Sequence, residues 1–280
     1  MMADFYKKNI PIIDTESTMA VHVDMLHPKN VTFGLVPRDY SEYPEEMFQA
    51  PSEMIVYPRS EWDARYDEQE ELQSSLEHIY LSGPNGEPAF ENLSQNGHGY
   101  CWFYSTGHAA MIDRLKRNLP MLRFNPHAGA AIIKRGRDEG GWCGLSAKFA
   151  REHGLAVEGN GPGQWPLHSR DLRYDTPQLR AEMAKYKLDE EWTDLTRNVY
   201  DQNLTADQLA TSEFNNVPGP GDFNWWGHSV CRMRLVRVER GNWGRLILNS
   251  WPGWGRHGLA VLVGNKAVPN GALAIRSTTA

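Results

Sequence analysis

Gln95-Asn-Gly-His-Gly-Tyr-Cys-Trp102 sets a cysteine where a glycine-rich loop runs into an apolar stretch. From Cys101 to Arg117 the apolar residues Trp102, Tyr104, Ala109, Ile112 and Leu115 recur at helical spacing on a broad face, and Asn118-Leu-Pro120 supplies a stop. Cys101 is therefore expected in the first turn of a largely buried helix. A thiol is a nucleophile only as thiolate, and the partial positive charge of a helix N-terminus lowers its pKa. Gly97 and Gly99 let the backbone turn sharply before it and let another chain approach closely. Read alone, a cysteine at a helix start is more often a small core hydrophobe. Its company elsewhere in the chain decides between the two.

That company is Trp226-Gly-His228-Ser-Val and Asn249-Ser-Trp-Pro-Gly-Trp-Gly-Arg-His-Gly258. With Gln95 to Trp102, these segments resemble the active-site segments of the papain-like cysteine peptidases, whose His and Asn follow the nucleophile by roughly 130–150 residues. The resemblance implies Cys101 as nucleophile, His228 as base and then acid for the leaving amine, and Asn249 as the group that orients the imidazole. It implies Gln95 as a side-chain oxyanion donor beside the Cys101 N–H, and Trp251 as a shield over Asn249. Gly140-Gly141-Trp142 resembles the family's peptide-binding edge, Gly141 being the candidate backbone contact, and Gly227 and Trp251 complete the substrate-binding set. The sequence departs from the family at His98, where a cysteine is usual, at Tyr100, where a small residue is usual, and at Pro252 in a shortened loop.

Around these motifs, helices are expected at Leu145–His153, closed by Gly154, and from Thr176-Pro177 onward. After Pro218-Gly-Pro220-Gly221 the pattern changes, and the runs Ser229–Val238, Arg245–Leu248, Leu259–Val263 and Ala272–Ile275 are β-rich. The expected fold is α+β and papain-like, a helical subdomain carrying the nucleophile against an antiparallel, barrel-like β subdomain with a cleft between them. Residues 1–90 form an N-terminal extension or arm that is expected to wrap the catalytic domain, masking its cleft, or to wrap a partner, with one polar, solvated helix at Glu61–Tyr80. Residues 91–280 form the catalytic domain, mainly helical over 91–175 and mainly β over 222–280.

The 280 residues, 40% hydrophobic, suffice for a substantial core. With 29 basic and 35 acidic side chains the net charge is −6, which opposes nucleic-acid binding, and no apolar run reaches bilayer length. No secretory signal is recognisable at the start, and Cys101, Cys143 and Cys231 are too few for a disulfide framework, so a cytoplasmic or virion-associated protein with free thiols is expected. No cysteine or histidine spacing suggests a metal, and no cofactor is called for. The leading reading is hydrolysis of a polypeptide substrate. The competing readings are an assembly protein, for example of a virus or phage particle, that uses this fold and finds its partners through residues 1–90, and a related hydrolase acting on another amide.

Overall fold

The computed structural model describes residues 10–13, 32–39, 41–42, 56–159, 161, 163–189, 193–195, 206–238 and 242–276. Most of the extension ahead of residue 56 lies outside the described residues. Seven helices are described: α1 (Trp62–Glu71), α2 (Leu76–Tyr80), α3 (Cys101–Lys116), α4 (Pro126–Ile133), α5 (Cys143–His153), α6 (Pro177–Met183) and α7 (Ala206–Phe214). The strands are β1 (Ile12–Ile13), β2 (Thr193–Asp194), β3 (Gly219–Phe223), β4 (His228–Val238), β5 (Asn242–Leu248), β6 (Leu259–Val263) and β7 (Gly271–Ala274).

The strands form one sheet in the order β1-β6-β5-β4-β3-β7-β2. Its pairs are antiparallel except β1 with β6, which is parallel, and among the described strands the order runs edge to edge without closing into a barrel. Strand alternation divides it cleanly between two cores. Leu246, Leu248, Leu259 and Val261 face the helices, while Ile247, Ala260 and Leu262 face a second cluster with Trp226, Trp251 and Trp254. Helix α3, buried from Cys101 to Arg114, fills the centre of the first core against β3 and β4. Gly129 on α4 lets that helix close on α3, because a Cβ there would meet the Phe103 ring at 2.3 Å.

The expected helices over residues 101, 145 and 177 are present, with Thr176 capping α6 through the Leu179 N–H and Gly154 ending α5 at φ 89°. The stretch Glu61–Tyr80 differs from its expectation. Gln73 adopts φ 50°, the helix breaks, and Ser75 caps the second piece. Nor is it simply a solvated helix: Trp62, Tyr66, Leu76 and Tyr80 lie in the core that holds Trp102 and Met111. Its acids meet arginines of β4, Glu70 and Glu77 pairing with Arg234 at 2.5 and 3.3 Å, and Asp67 with Arg237 at 2.5 Å.

A second ionic group ties α7 to the sheet. Glu213 Oε1, fully buried, accepts from Arg232 Nη1 at 3.0 Å and from Arg245 Nε at 2.6 Å. Removing one member of such a group strands a buried charge, which typically costs about 3–5 kcal/mol. Glu213→Ala is expected to lower the free energy of unfolding by about that amount, read as a fall in the denaturant midpoint at unchanged slope; a loss below about 1 kcal/mol would show that water reaches both guanidinium groups.

Candidate active site

Each expected catalytic group is delivered by the end of an element. Cys101 opens α3, His228 opens β4 opposite Phe223 of β3, and Asn249 follows the last residue of β5. Helix α3 and β4 are pinned together one step deeper, where the Ser105 and Ser229 hydroxyls hydrogen-bond at 2.9 Å. The Cys101 thiol lies in hydrogen-bonding contact with backbone groups of Ser229, Gly34 and Trp102.

The state of the histidine follows from its neighbours. Ser250 N–H donates to Asn249 Oδ1 at 2.8 Å, which fixes the orientation of the amide. His228 Nε2 lies 2.8 Å from the same oxygen, so Nε2 carries the proton and Nδ1 the lone pair. Nδ1 is buried without a hydrogen-bond partner, so the thiol and imidazole are not hydrogen-bonded to each other in this state. Trp251 stacks on the imidazole at 4.2 Å between centroids, Trp226 meets it edge-on at 4.8 Å, and Phe33 approaches at 6.3 Å. Burial in this aromatic box pulls the His228 pKa down to about 3, against the Asn249 hydrogen bond, which favours the charged ring.

The thiol departs from its expected acidity. Burial pushes the Cys101 pKa up to about 12, outweighing the backbone contacts that favour the thiolate. Thiol and imidazole are both neutral here. Cys143 and Cys231, like Cys101, form no disulfide and are buried.

Gln95 is held from both ends: its Oε1 accepts from the Ser250 hydroxyl at 2.7 Å, and its Nε2 donates to the His98 carbonyl at 2.6 Å. One Nε2 hydrogen thus serves the loop before Cys101, and the amide has a second to offer.

The burial of the site has a specific cause, in a segment that no sequence motif marks. Residues 32–38 of the same chain run through the groove. Thr32 N–H donates to Gly97 O at 3.0 Å, Gly141 N–H to Gly34 O at 2.8 Å, Leu35 N–H to Gly227 O at 3.0 Å and Val36 N–H to Gly141 O at 2.9 Å. The bonds from Gly141 to residues flanking Leu35 make a parallel bridge. Gly34 fits because it has no side chain, since a Cβ there would lie 2.0 Å from Gly99 O. Phe33 packs edge-on against Trp251 at 5.7 Å, and the Arg38 guanidinium sits 4.9 Å from the Trp142 ring centre. Gly140 is packed as closely, a Cβ there meeting Gly34 O at 2.6 Å. All five residues expected to bind substrate, Gly140, Gly141, Trp142, Gly227 and Trp251, therefore touch this segment. The hydrogen bonds are backbone to backbone, so beyond Gly34 they demand little of side-chain identity.

Sequence reading missed Asp222. It pairs with Ser229 across the β3–β4 ladder and is 4% exposed. Its Oδ2 accepts the Cys143 N–H at 2.9 Å, capping α5, while Oδ1 is buried without a hydrogen-bond donor. Burial pushes this carboxyl up to about 6; the Cys143 N–H, the Ser229 hydroxyl and the Arg38 charge pull the other way.

No protein-family model and no curated protein matches the chain. Solved structures do. Xylellain, a cysteine protease from Xylella fastidiosa, superposes with a TM-score of 0.59 at 15% identity over 89% of this chain and 97% of that one. A digestive procathepsin L2 proteinase from the larval midgut of Tenebrio molitor gives 0.58 at 14% identity over 94% and 83%. The Amb a 11 cysteine protease of ragweed pollen, in its proform, gives 0.49 at 16% identity, and the match spans 67% of this chain and 61% of that one. The first two likenesses establish the architecture: the chain has the papain-like fold.

Proposed function

We propose that this chain of papain-like fold is a thiol-dependent peptidase, with Cys101 as nucleophile, His228 as general base and acid, Asn249 as the orienting group and Gln95 as oxyanion donor. One observation carries the reading: the His228 tautomer. The amide of Asn249 takes the Nε2 proton and leaves Nδ1, at the start of the strand that touches the Cys101 thiol, as a buried lone pair with no other partner. Such a ring is arranged to accept a proton. Attack by the thiolate on a peptide carbonyl would form a tetrahedral oxyanion facing the Cys101 N–H and the second Gln95 Nε2 hydrogen. His228 would then pass the proton to the leaving amine, and water would release the acyl group.

The arrangement supports a latent state. The segment 32–38 lies where a substrate would, with the Gly34 carbonyl, belonging to the residue beside the thiol, hydrogen-bonded to the Gly141 N–H. With the thiol and ring both buried and neutral, the nucleophile is off until the segment leaves. This favours masking of the cleft as the role of residues 32–38. Nothing in the described residues favours the assembly reading.

The test is an epoxide thiol inhibitor applied to the intact chain and to Gly34→Val, with the adduct mapped by mass spectrometry. One adduct is expected, on Cys101, formed faster in the variant; Cys143 and Cys231 stay unmodified. An opened chain whose Cys101 remains unmodified would remove the peptidase reading.

A further inference from the structure

We propose that the groove beside Cys101 contains a cation-selective subsite, with Asp222 as its anionic floor and Trp142 as its aromatic wall, and that the substrates of the opened site are peptides presenting an arginine or lysine there. The proposal rests on the peptidase reading for the word substrate, but not for the subsite itself.

Three observations carry it. First, Asp222 is placed by the same framework as the catalytic groups: it lies opposite Ser229, the residue after His228, and its charge acts on the Cys101 thiol. It also accepts the Cys143 N–H, two residues beyond Gly141, whose backbone holds the groove segment. The carboxylate is therefore directly behind the peptide-binding edge. Second, helix capping occupies only one of its oxygens. The other is buried without a well-formed hydrogen bond, although the Ser229 hydroxyl and the Cys143 thiol also act on the carboxyl. An isolated carboxylate oxygen is costly to bury, and a guanidinium or ammonium group is the ligand that compensates both its charge and its hydrogen-bonding capacity. Third, the chain already brings a cation to this place, as a charge and without a hydrogen bond to Oδ1. Arg38, two residues after the Val36 N–H that bonds Gly141, lies over Trp142 at 4.9 Å and acts on Asp222 as the opposite charge. A helix cap alone would explain the first oxygen, but not a cation delivered by a segment bound along the groove.

Arg38 then does for the latent chain what a basic side chain would do for a substrate. An apolar residue entering in its place would leave Asp222 uncompensated beside the thiol. The subsite thus discriminates against apolar and acidic side chains by the penalty they incur, as well as by attraction to basic ones.

The subsite is tested first in the full-length chain, reading the rate at which iodoacetamide alkylates Cys101. Arg38→Glu opposes two like charges and is expected to raise that rate about 10–100-fold, and Arg38→Lys to stay near the parent. Asp222→Asn keeps an acceptor for the Cys143 N–H, so α5 remains capped. In its presence the rate increase caused by Arg38→Glu should shrink to a few-fold. Equal effects of Arg38→Glu with and without Asp222→Asn would overturn the subsite. The substrate class is read separately, by profiling Gly34→Val against fluorogenic peptides varied one position at a time. One position on the acyl side should favour Arg and Lys over Leu and Glu by about 10–100-fold, and Asp222→Asn should abolish that preference, slowing Arg and Lys peptides and speeding Leu peptides. Hydrolysis with no basic preference overturns the substrate class. Coupled alkylation with no hydrolysis of any peptide instead removes the peptidase reading and leaves a cation-binding groove.

Discussion

Gly34→Val, made in the full-length chain, raises the rate of Cys101 alkylation at neutral pH by about 10²-fold. The expected displacement follows from one distance. A Cβ on Gly34 would lie 2.0 Å from Gly99 O, an overlap that no rotamer relieves because the offending atom precedes the first side-chain torsion. Four backbone hydrogen bonds hold residues 32–36, and each is worth only about 0.5–1.5 kcal/mol net because water replaces it. The segment leaves before the core deforms. Solvent then reaches a thiol whose pKa burial holds up at about 12, and its pKa falls toward the ordinary value of about 8.5. The thiolate fraction at neutral pH rises roughly 10³-fold or somewhat more, while the lower basicity of the thiolate takes back about half of that on a logarithmic scale. The pH profile carries the same sign. In the parent the alkylation rate keeps climbing with each pH unit through the alkaline range, whereas the variant levels off at a lower pH. An unchanged rate and an unchanged profile would mean that residues 32–38 do not control access to Cys101.

What the sequence conveyed, and what it hid, divides along physical lines. Helices α3 and α5 and strands β4 to β6 were legible because their apolar residues repeat with the period of a buried face. Strand β3 was not, since Gly219-Pro-Gly-Asp-Phe223 has the composition of a turn. Its Gly219 is there because a Cβ would strike Leu273 O at 1.6 Å, a contact with a strand fifty residues away. Asp222, at the start of the β half, belongs to no motif that would mark it. Helix α4 is only eight residues of mostly small or aliphatic side chains, too short a run for a helical period to show. The polar face of α1 looked solvated because its partners, Arg234 and Arg237, lie on a distant strand. The His228–Asn249 pair was legible from its motifs, and the hydrogen bond between them has the expected form. Which residues of the extension lie in the groove was not legible, because four backbone hydrogen bonds place no demand on sequence beyond the glycine at residue 34.

In the Gly34→Val background, Cys101→Ser is expected to reduce peptide hydrolysis on the order of 10⁵-fold, to a rate near that of buffer. The size of the loss follows from the partner of the histidine. A serine must surrender its proton to the imidazole in the transition state, and the imidazolium so formed needs a carboxylate behind it; where an amide replaces that carboxylate in a serine site, the rate falls about 10⁴-fold. His228 has only the amide of Asn249 at 2.8 Å and an aromatic box of Trp251 and Trp226 around it, with no acid on Nε2. A thiol escapes this requirement. Once the groove is open it can transfer its proton to His228 before attack, and the resulting pair carries its own compensating charge. Asn249→Ala should therefore cost far less than Cys101→Ser, about 10–100-fold, through loss of the fixed tautomer alone. The serine variant differs by one atom and should retain the parent's melting temperature, so lost activity will not be lost folding. The measurement is the initial rate on a fluorogenic peptide for the three chains. A Cys101→Ser chain that keeps a tenth of the activity, or an Asn249→Ala chain as inactive as Cys101→Ser, would show that hydrolysis does not run through this thiol and this amide-held histidine.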